Sequence, residues 1–418
     1  MTAKERITTA LNHSEPDRLP VDFGSTPVTG IHVQTLDLIR KHFGLEDRPV
    51  KVGEPYQMLG LIEEDVMEAL GLDAEPVIGH SNIFGFRNTD WKPFKTPWGQ
   101  DVLVPEDFRV TTDTNGDVLI YPQGDTSVPP SGRMPFDGFF FDSIIRQPPI
   151  DEDKLNPEDN LEEFSLMDEN TLNWYRGEAE RLRNSSRAIV AGGPGTAFGD
   201  IALVPAPFLT NPKGIRDVTE WYMSTAMRTD YVHAIFDKQC EIALENLAML
   251  KDIAGDIIDV LFICGTDFGT QTSQFCSVDT FRDLYAPYYK KVNNWVHSNT
   301  NWKTFKHSCG AVYPFIDDFI DCGFDILNPV QCSATGMDPK TLKDEFGSRI
   351  TFWGGGVDTQ HTLPFGTPGE VYREVRERID IFAPGGGFVF NTIHNMQANT
   401  PIENVAALFK AISDAGNQ

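Results

Sequence analysis

From about residue 165 onward, short apolar runs alternate with longer amphipathic stretches at near-regular intervals. The spacing predicts helices over 170–183, 215–225, 230–253, 279–298, 312–321, 339–346 and 367–382, and a last helix from Pro401 to about 414. Between them the apolar runs predict strands over 187–191, 257–264, 302–307, 324–329, 349–354 and 387–391. Alternation of this kind means parallel βαβ units. With a further strand near the N-terminus, strand number and chain length together predict a closed TIM (β/α)8 barrel rather than an open sheet. A strand–G-x-G-x-x-G–helix unit is missing, which counts against a dinucleotide-binding sheet. Gly192-Gly193-Pro194-Gly195 lacks that spacing and reads as a tight turn at the barrel mouth.

The N-terminal part is less regular. Thr2 to Glu5 forms a capping box that opens a helix running through Leu11 and Asn12, ended by Pro16 and Pro20. Leu19–Phe23 is expected as the first strand, with Asp22 near its end, and helices are expected over 33–43 and 56–71. Around 85–140 the chain turns rich in Trp, Phe, Pro, Gly and Thr, with Asn115-Gly116 between alternating segments. That is a hairpin signal, so an antiparallel β excursion is expected there. Loops are expected over 123–160. The whole of 1–418 is read as one barrel domain carrying this insertion.

Composition narrows the partners. The chain has 35 basic and 61 acidic side chains and a formal charge of −26. Nucleic acid as a partner needs a basic surface and is not expected. No apolar run is long enough for a membrane span, and Met1 to Arg6 lacks the apolar core of a signal peptide. The six cysteines, at 240, 264, 276, 309, 322 and 332, form no C-x-x-C pair. A reducing, cytoplasmic location is therefore expected.

Candidate chemistry gathers at the C-terminal strand ends, where barrel active sites lie. The polar residues there are Asp22, Asp267, His307, Cys309, Asn328, Gln331, Asp358 and His394. In an extended chain His307 and Cys309 point the same way, and both suit a borderline-soft cation such as zinc. The plainer reading is a buried cysteine beside a hydrogen-bonded histidine. His394, at the end of the last strand, is the expected third ligand, with Cys332 and His361 as competitors. Three protein ligands leave the fourth tetrahedral position open, as catalytic zinc requires. Asp267 and Asp358 are the candidate catalytic carboxylates, and either could instead cap the following turn. Asp22, Asn328 and Gln331 are candidate substrate contacts. Trp91, Phe94, Trp98 and Phe108 could cover an apolar substrate or simply pack.

Three stretches resemble the uroporphyrinogen decarboxylase superfamily. They are Lys4-Glu5-Arg6 through Pro16-Asp17-Arg18-Leu19-Pro20-Val21, Gly356-Val357-Asp358 with Phe365-Gly366-Thr367-Pro368-Gly369-Glu370-Val371, and Gly386-Gly387-Phe388-Val389 through His394-Asn395 to Asn404. The resemblance implies a TIM barrel and either decarboxylation or corrinoid-linked methyl transfer. Decarboxylases of the family carry an arginine-containing stretch after the first strand, whereas Asp22-Phe23-Gly24-Ser25-Thr26-Pro27-Val28 holds neither Arg nor Lys. The methyltransferase branch carries an H-x-C pair and a later Cys as zinc ligands. His307-Ser308-Cys309 matches the pair, and His394 stands where the Cys usually lies. The expected function is thus a zinc-dependent methyltransferase moving a methyl group between a small O- or N-methylated compound, or a thiol, and the corrinoid of a partner protein. The alternatives are a decarboxylase or lyase on the same scaffold, and a non-catalytic corrinoid- or metabolite-binding barrel.

Overall fold

Seven parallel strands form the centre of the molecule. They are β1 (Ala74–Pro76), β2 (Ala188–Gly192), β3 (Val260–Cys264), β4 (Lys303–His307), β5 (Ile326–Asn328), β6 (Thr351–Trp353) and β7 (Phe388–Val389). The computed structural model describes residues 1–416. Each strand pairs with the next in the chain, so the sheet runs β1 to β7 without a crossover in order. Helices such as Thr229–Ala254, Ala286–Asn299 and Pro368–Phe382 connect the strands.

The sheet curls until its two edges meet one short segment. Asp22 donates its N–H to Phe390 O, Phe390 donates to Pro20 O, and Asp73 donates to Val21 O. Where a strand over 19–23 is expected, a single parallel bridge between Val21 and Phe390 stands instead. Pro20 has no N–H to give to a ladder. Beyond Phe23 the chain already turns, with Gly24 N–H bonded to Thr29 O.

Alternation along the strands divides two cores. Ala188 and Val190, Val260, Phe305, Ile326, Trp353 and Val389 face inward and pack with Ile7, Ala10 and Leu11 of the helix Ala3–Leu11. Removing a side chain such as Phe305 or Ile326 from water is worth about 2 kcal/mol. The N-terminal helix sits where the strands begin, since Lys4 N–H donates to Ser186 O and Gly387 N–H to Ala10 O. The intervening residues, among them Leu261, Leu327, Phe352 and Phe388, join the larger core shared with the helices.

Several expected elements differ. The helix expected over 56–71 is confined to Glu64–Leu70. The Glu54 carboxylate takes the N–H groups of Tyr56 and Gln57, and Leu59–Gly60 pairs with the strand Val50–Glu54. The helix over 279–298 breaks at Tyr285 into Val278–Leu284 and Ala286–Asn299, with Pro287 in the first turn of the second. Strand β1, three residues long and ended by Pro76, carries no apolar run to announce it. Between residues 50 and 143 lie two four-stranded sheets outside the central one. One contains Trp91–Lys95 antiparallel to Asp101–Pro105. The other begins with the hairpin of Val110–Thr112 and Val118–Ile120 around Asn115-Gly116. No helix among the described residues is long and apolar enough to cross a membrane.

Candidate metal centre

His307 is the last residue of β4 and shares the inward parity of Phe305. Cys309 follows two residues on, past the strand, and His394 follows β7. One ligand atom from each of these three residues comes within 4.8 Å of the others. His307 Nε2 lies 3.4 Å from Cys309 Sγ, and the two imidazoles meet edge to face at 5.3 Å between centroids. His394 holds a φ of +68°, in the left-handed region, which costs a non-glycine residue on the order of 1 kcal/mol. Thr392 Oγ1 donates to its carbonyl oxygen and steadies that turn.

The donor set suits a metal such as zinc. With bonds of about 2.1 Å to nitrogen and 2.3 Å to sulfur, two tetrahedral ligands stand about 3.6 Å apart, close to the separation of His307 and Cys309. Asn328 fixes which imidazole nitrogen is free. Its Nδ2 donates to Trp353 O at 2.6 Å, so its Oδ1 must accept, and it takes the Nδ1–H of His307 at 2.5 Å. Nε2 is left with its lone pair toward Cys309. A histidine oriented by an outer hydrogen bond in this way is the usual arrangement at metal sites. Burial depresses the basicity of His307 to about 3 and of His394 to about 4, the second also through its neighbour His307. Both imidazoles are therefore neutral and able to ligate at neutral pH. Burial, helped by the Asp267 charge, pushes the Cys309 thiol well above its ordinary value, so a bound metal would have to displace its proton.

Asp267 joins this group from the loop after β3. Its Oδ1 accepts the Cys309 N–H at 2.6 Å and lies 3.8 Å from His307 Nε2. Burial raises its pKa, while the Cys309 N–H and the nearby Lys306 cation pull the other way. The loops bearing Asp267 and Cys309 touch backbone to backbone: a Cβ on Gly310, whose φ is +88°, would stand 2.4 Å from the Gly269 carbonyl.

The other sequence-predicted residues are not members of the three-residue cluster. Asn328 and Gln331 support the ligand loops, the first through His307 and the second by accepting the Gly310 N–H at 2.7 Å. Asp22 is fully buried, bonded to Ser25 and to Trp353 Nε1, and burial raises its pKa to about 6. Asp358 accepts the N–H groups of Gln360 and His361, closing its own turn. None of these four lines the cavity above the sheet. Cys332 Sγ donates to Val330 O, and the His361 side chain is 79% exposed beside Asp358. Neither belongs to the three-residue cluster.

That cavity measures about 1380 Å³ and is lined in part by His307, His394 and Asp267. Its wall includes two carboxylates that the sequence did not single out, Asp200 and Glu54. Asp200 Oδ2 accepts the Gly265 N–H at 3.2 Å, and a Cβ at Gly265 would stand only 2.7 Å from that oxygen. Asp200 lies in a loop with no periodicity, so no pattern announced it. Lys306 also escaped notice, although its place between Phe305 and His307 on a predicted strand was a signal. It points outward, wholly buried, with Nζ bonded to Thr266 O at 2.6 Å and to His307 O, and 5.0 Å from the Phe268 ring centre. Lys306 thus ties the end of β4 to the residue before Asp267.

Comparison with known proteins bears on the family and the fold. Residues 195–415 match the family model described as uroporphyrinogen decarboxylase (URO-D). The methylcobamide:CoM methyltransferase MtaA of Methanosarcina barkeri is 23% identical over 211 residues, which are 50% of this chain and 55% of that protein. The match thus spans about half the length of these curated relatives. A solved methyltransferase from Methanosarcina mazei covers 99% of both chains with a TM-score of 0.53 at 19% identity, a likeness of fold.

Proposed function

Because the chain belongs to the uroporphyrinogen decarboxylase family, we propose that it is a metal-dependent methyltransferase of that family. It moves a methyl group between a small O- or N-methylated compound, or a thiol, and the corrinoid of a separate protein docked over the cavity. The observation that carries this reading is the cluster of His307, Cys309 and His394, whose two histidines line the cavity. The M. barkeri relatives are named as methylcobamide:CoM methyltransferases, which favours the corrinoid as the second methyl carrier. In this reading the chain is one domain, and the seam at Val21 closes an eight-stranded TIM barrel.

His307, Cys309 and His394 would hold the metal, with zinc the best match to two nitrogens and one sulfur. When bound, zinc supplies Lewis acidity toward the heteroatom that carries or receives the methyl group. The remaining work falls to the chain. Asn328 keeps His307 in the ligating tautomer. Asp267, raised by burial, takes the proton of an incoming thiol or hydroxyl, or returns it to a leaving one. Decarboxylation of a polyanionic substrate fits less well, since no specific feature of this cavity favours it.

The test measures metal content after zinc reconstitution for the wild type, Cys309→Ala and His394→Ala. It then follows methyl transfer to free cob(I)alamin from an aryl methyl ether by absorbance. About one zinc per chain, lost in both variants together with transfer, is expected. Wild-type protein that takes up no zinc would remove the basis of the reading.

A further inference from the structure

The cavity wall has a one-sided charge. Six carboxylates line it: Glu54, Asp142, Glu163, Asp168, Asp200 and Asp267. Among the described lining residues none is Lys or Arg, although the chain carries 35 of them. Three of the six are accounted for. Glu163 pairs with the buried Arg216 at 2.7 Å, Asp168 caps the helix Glu169–Leu182, and Asp267 bonds the Cys309 loop. Asp142 is exposed at the rim.

Asp200 and Glu54 differ. Each is recessed in the wall, and each receives only backbone N–H groups: Ala202 and Gly265 on Asp200, Tyr56 and Gln57 on Glu54. Neither forms an ion pair with a described residue. A carboxylate taken from water without an ion-pair partner is costly, and for Asp200 the Lys306 cation offsets only part of that cost while Asp267 adds to it. Burial accordingly pushes Asp200 to about 6 and Glu54 to about 7. The glycine at 265 is what lets the Asp200 carboxylate reach the loop that leads to Asp267, so one of these charges stands beside the reacting end. Aromatic rings of Tyr56, Tyr175 and Phe262 complete the wall, and ring faces attract organic cations as well.

We propose that the methyl-bearing substrate of this site is an organic cation, an amine that is protonated at neutral pH, held in the field of the wall carboxylates, with Asp200 on the side of the reacting end and Glu54 on the opposite wall, while its methylated heteroatom faces His307, Cys309 and His394. Substrates ending in a carboxylate or sulfonate are rejected, because the wall offers them no basic side chain and several negative ones. The proposal rests on the methyltransferase reading for the identity of the site, but charge selection is a binding property and does not require turnover.

The experiment uses zinc-loaded protein and three aryl methyl ethers of the same size: 4-methoxybenzylamine, 4-methoxybenzyl alcohol and 4-methoxybenzoate. Calorimetric titration at pH 7 and low salt is expected to rank them amine, alcohol, carboxylate. The amine should bind at least about tenfold more tightly than the alcohol, and the gap should narrow as salt rises. Asp200→Asn and Glu54→Gln, which keep shape, should each shrink the preference for the amine while leaving binding of the alcohol within about twofold. Equal affinity for amine and alcohol, tighter binding of the carboxylate, or no binding of any of the three overturns the proposal. An amine that binds selectively but never passes its methyl group to cob(I)alamin would remove the methyltransferase reading and leave the charge selection standing. Transfer from the carboxylate alone would do the reverse.

Discussion

The loops after β3 and β6 begin alike and end differently. Each leaves a parallel strand through glycine and reaches an aspartate, Asp267 after Gly265-Thr266 and Asp358 after Gly354-Gly355-Gly356-Val357. Asp358 finds donors two and three residues ahead and spends an oxygen on its own turn. Asp267 finds its donor 42 residues away, on Cys309, and so ends beside His307. The difference teaches that an aspartate past a strand is free to act across the sheet only when its own turn does not consume it. Asp22, at the seam, is a third case: a carboxylate sealed in the interior and bonded to Ser25 and Trp353.

Substitutions at these three aspartates and at Asn328 would break or sharpen that comparison. The largest effect is expected at Asp22. Its folded pKa of about 6 lies above the ordinary 3.8, so the native state holds its proton more tightly than the unfolded chain does. The associated stability is present below about pH 4 and is lost as pH rises through 6, by about 3 kcal/mol. Denaturant melts at pH 4 and pH 7 should show that fall in the wild type and a flatter profile in Asp22→Asn. An equal slope in both would mean that Asp22 is not the group responsible. Next comes Asp267→Asn, which can still accept the Cys309 N–H but cannot take a proton. Zinc content should stay, while transfer slows by about 10²-fold. Asn328→Ala frees the His307 ring and should weaken zinc binding about 10–100-fold in a chelator competition. The smallest change is expected for Asp358→Ala: about 1 kcal/mol of stability from the lost turn bonds, read as a lower melting temperature, with the rate of transfer unchanged. A large rate loss there would erase the contrast between the two loops.

Much of the central sheet was legible because burial on both faces writes a near-continuous apolar run, as in Val260 to Cys264. The short strand at Ala74–Pro76 was not, since hydrogen bonds to a neighbouring strand, rather than local pattern, define it; the segment 19–23 was read as a strand, but its reduction to one bridge at Val21 was not. At the site, His307, Cys309 and Asp267 were readable from strand ends and parity, and His394 from its place after the last strand. Asn328 and Gln331 were expected as substrate contacts rather than as supports of His307 and Gly310, because the direction of an amide depends on partners far along the chain. Asp200, Glu54 and Lys306 went unseen for the same reason. Their significance comes from what surrounds them: backbone donors around the two carboxyls, and aromatic rings around the lysine.

The close approach of Gly269 to Gly310 leaves no space for even a methyl group. Any mutation there must move two loops at once, so the distance between Asp267 and Cys309 is insulated from gradual drift. A lineage built on this scaffold would inherit the placement of Asp267 beside Cys309 and His307 as a fixed block. Diversification toward new substrates would then accumulate on the far wall, around Glu54 and Tyr56, where the chain belongs to a separate small sheet and its turn and can vary without disturbing the chemistry.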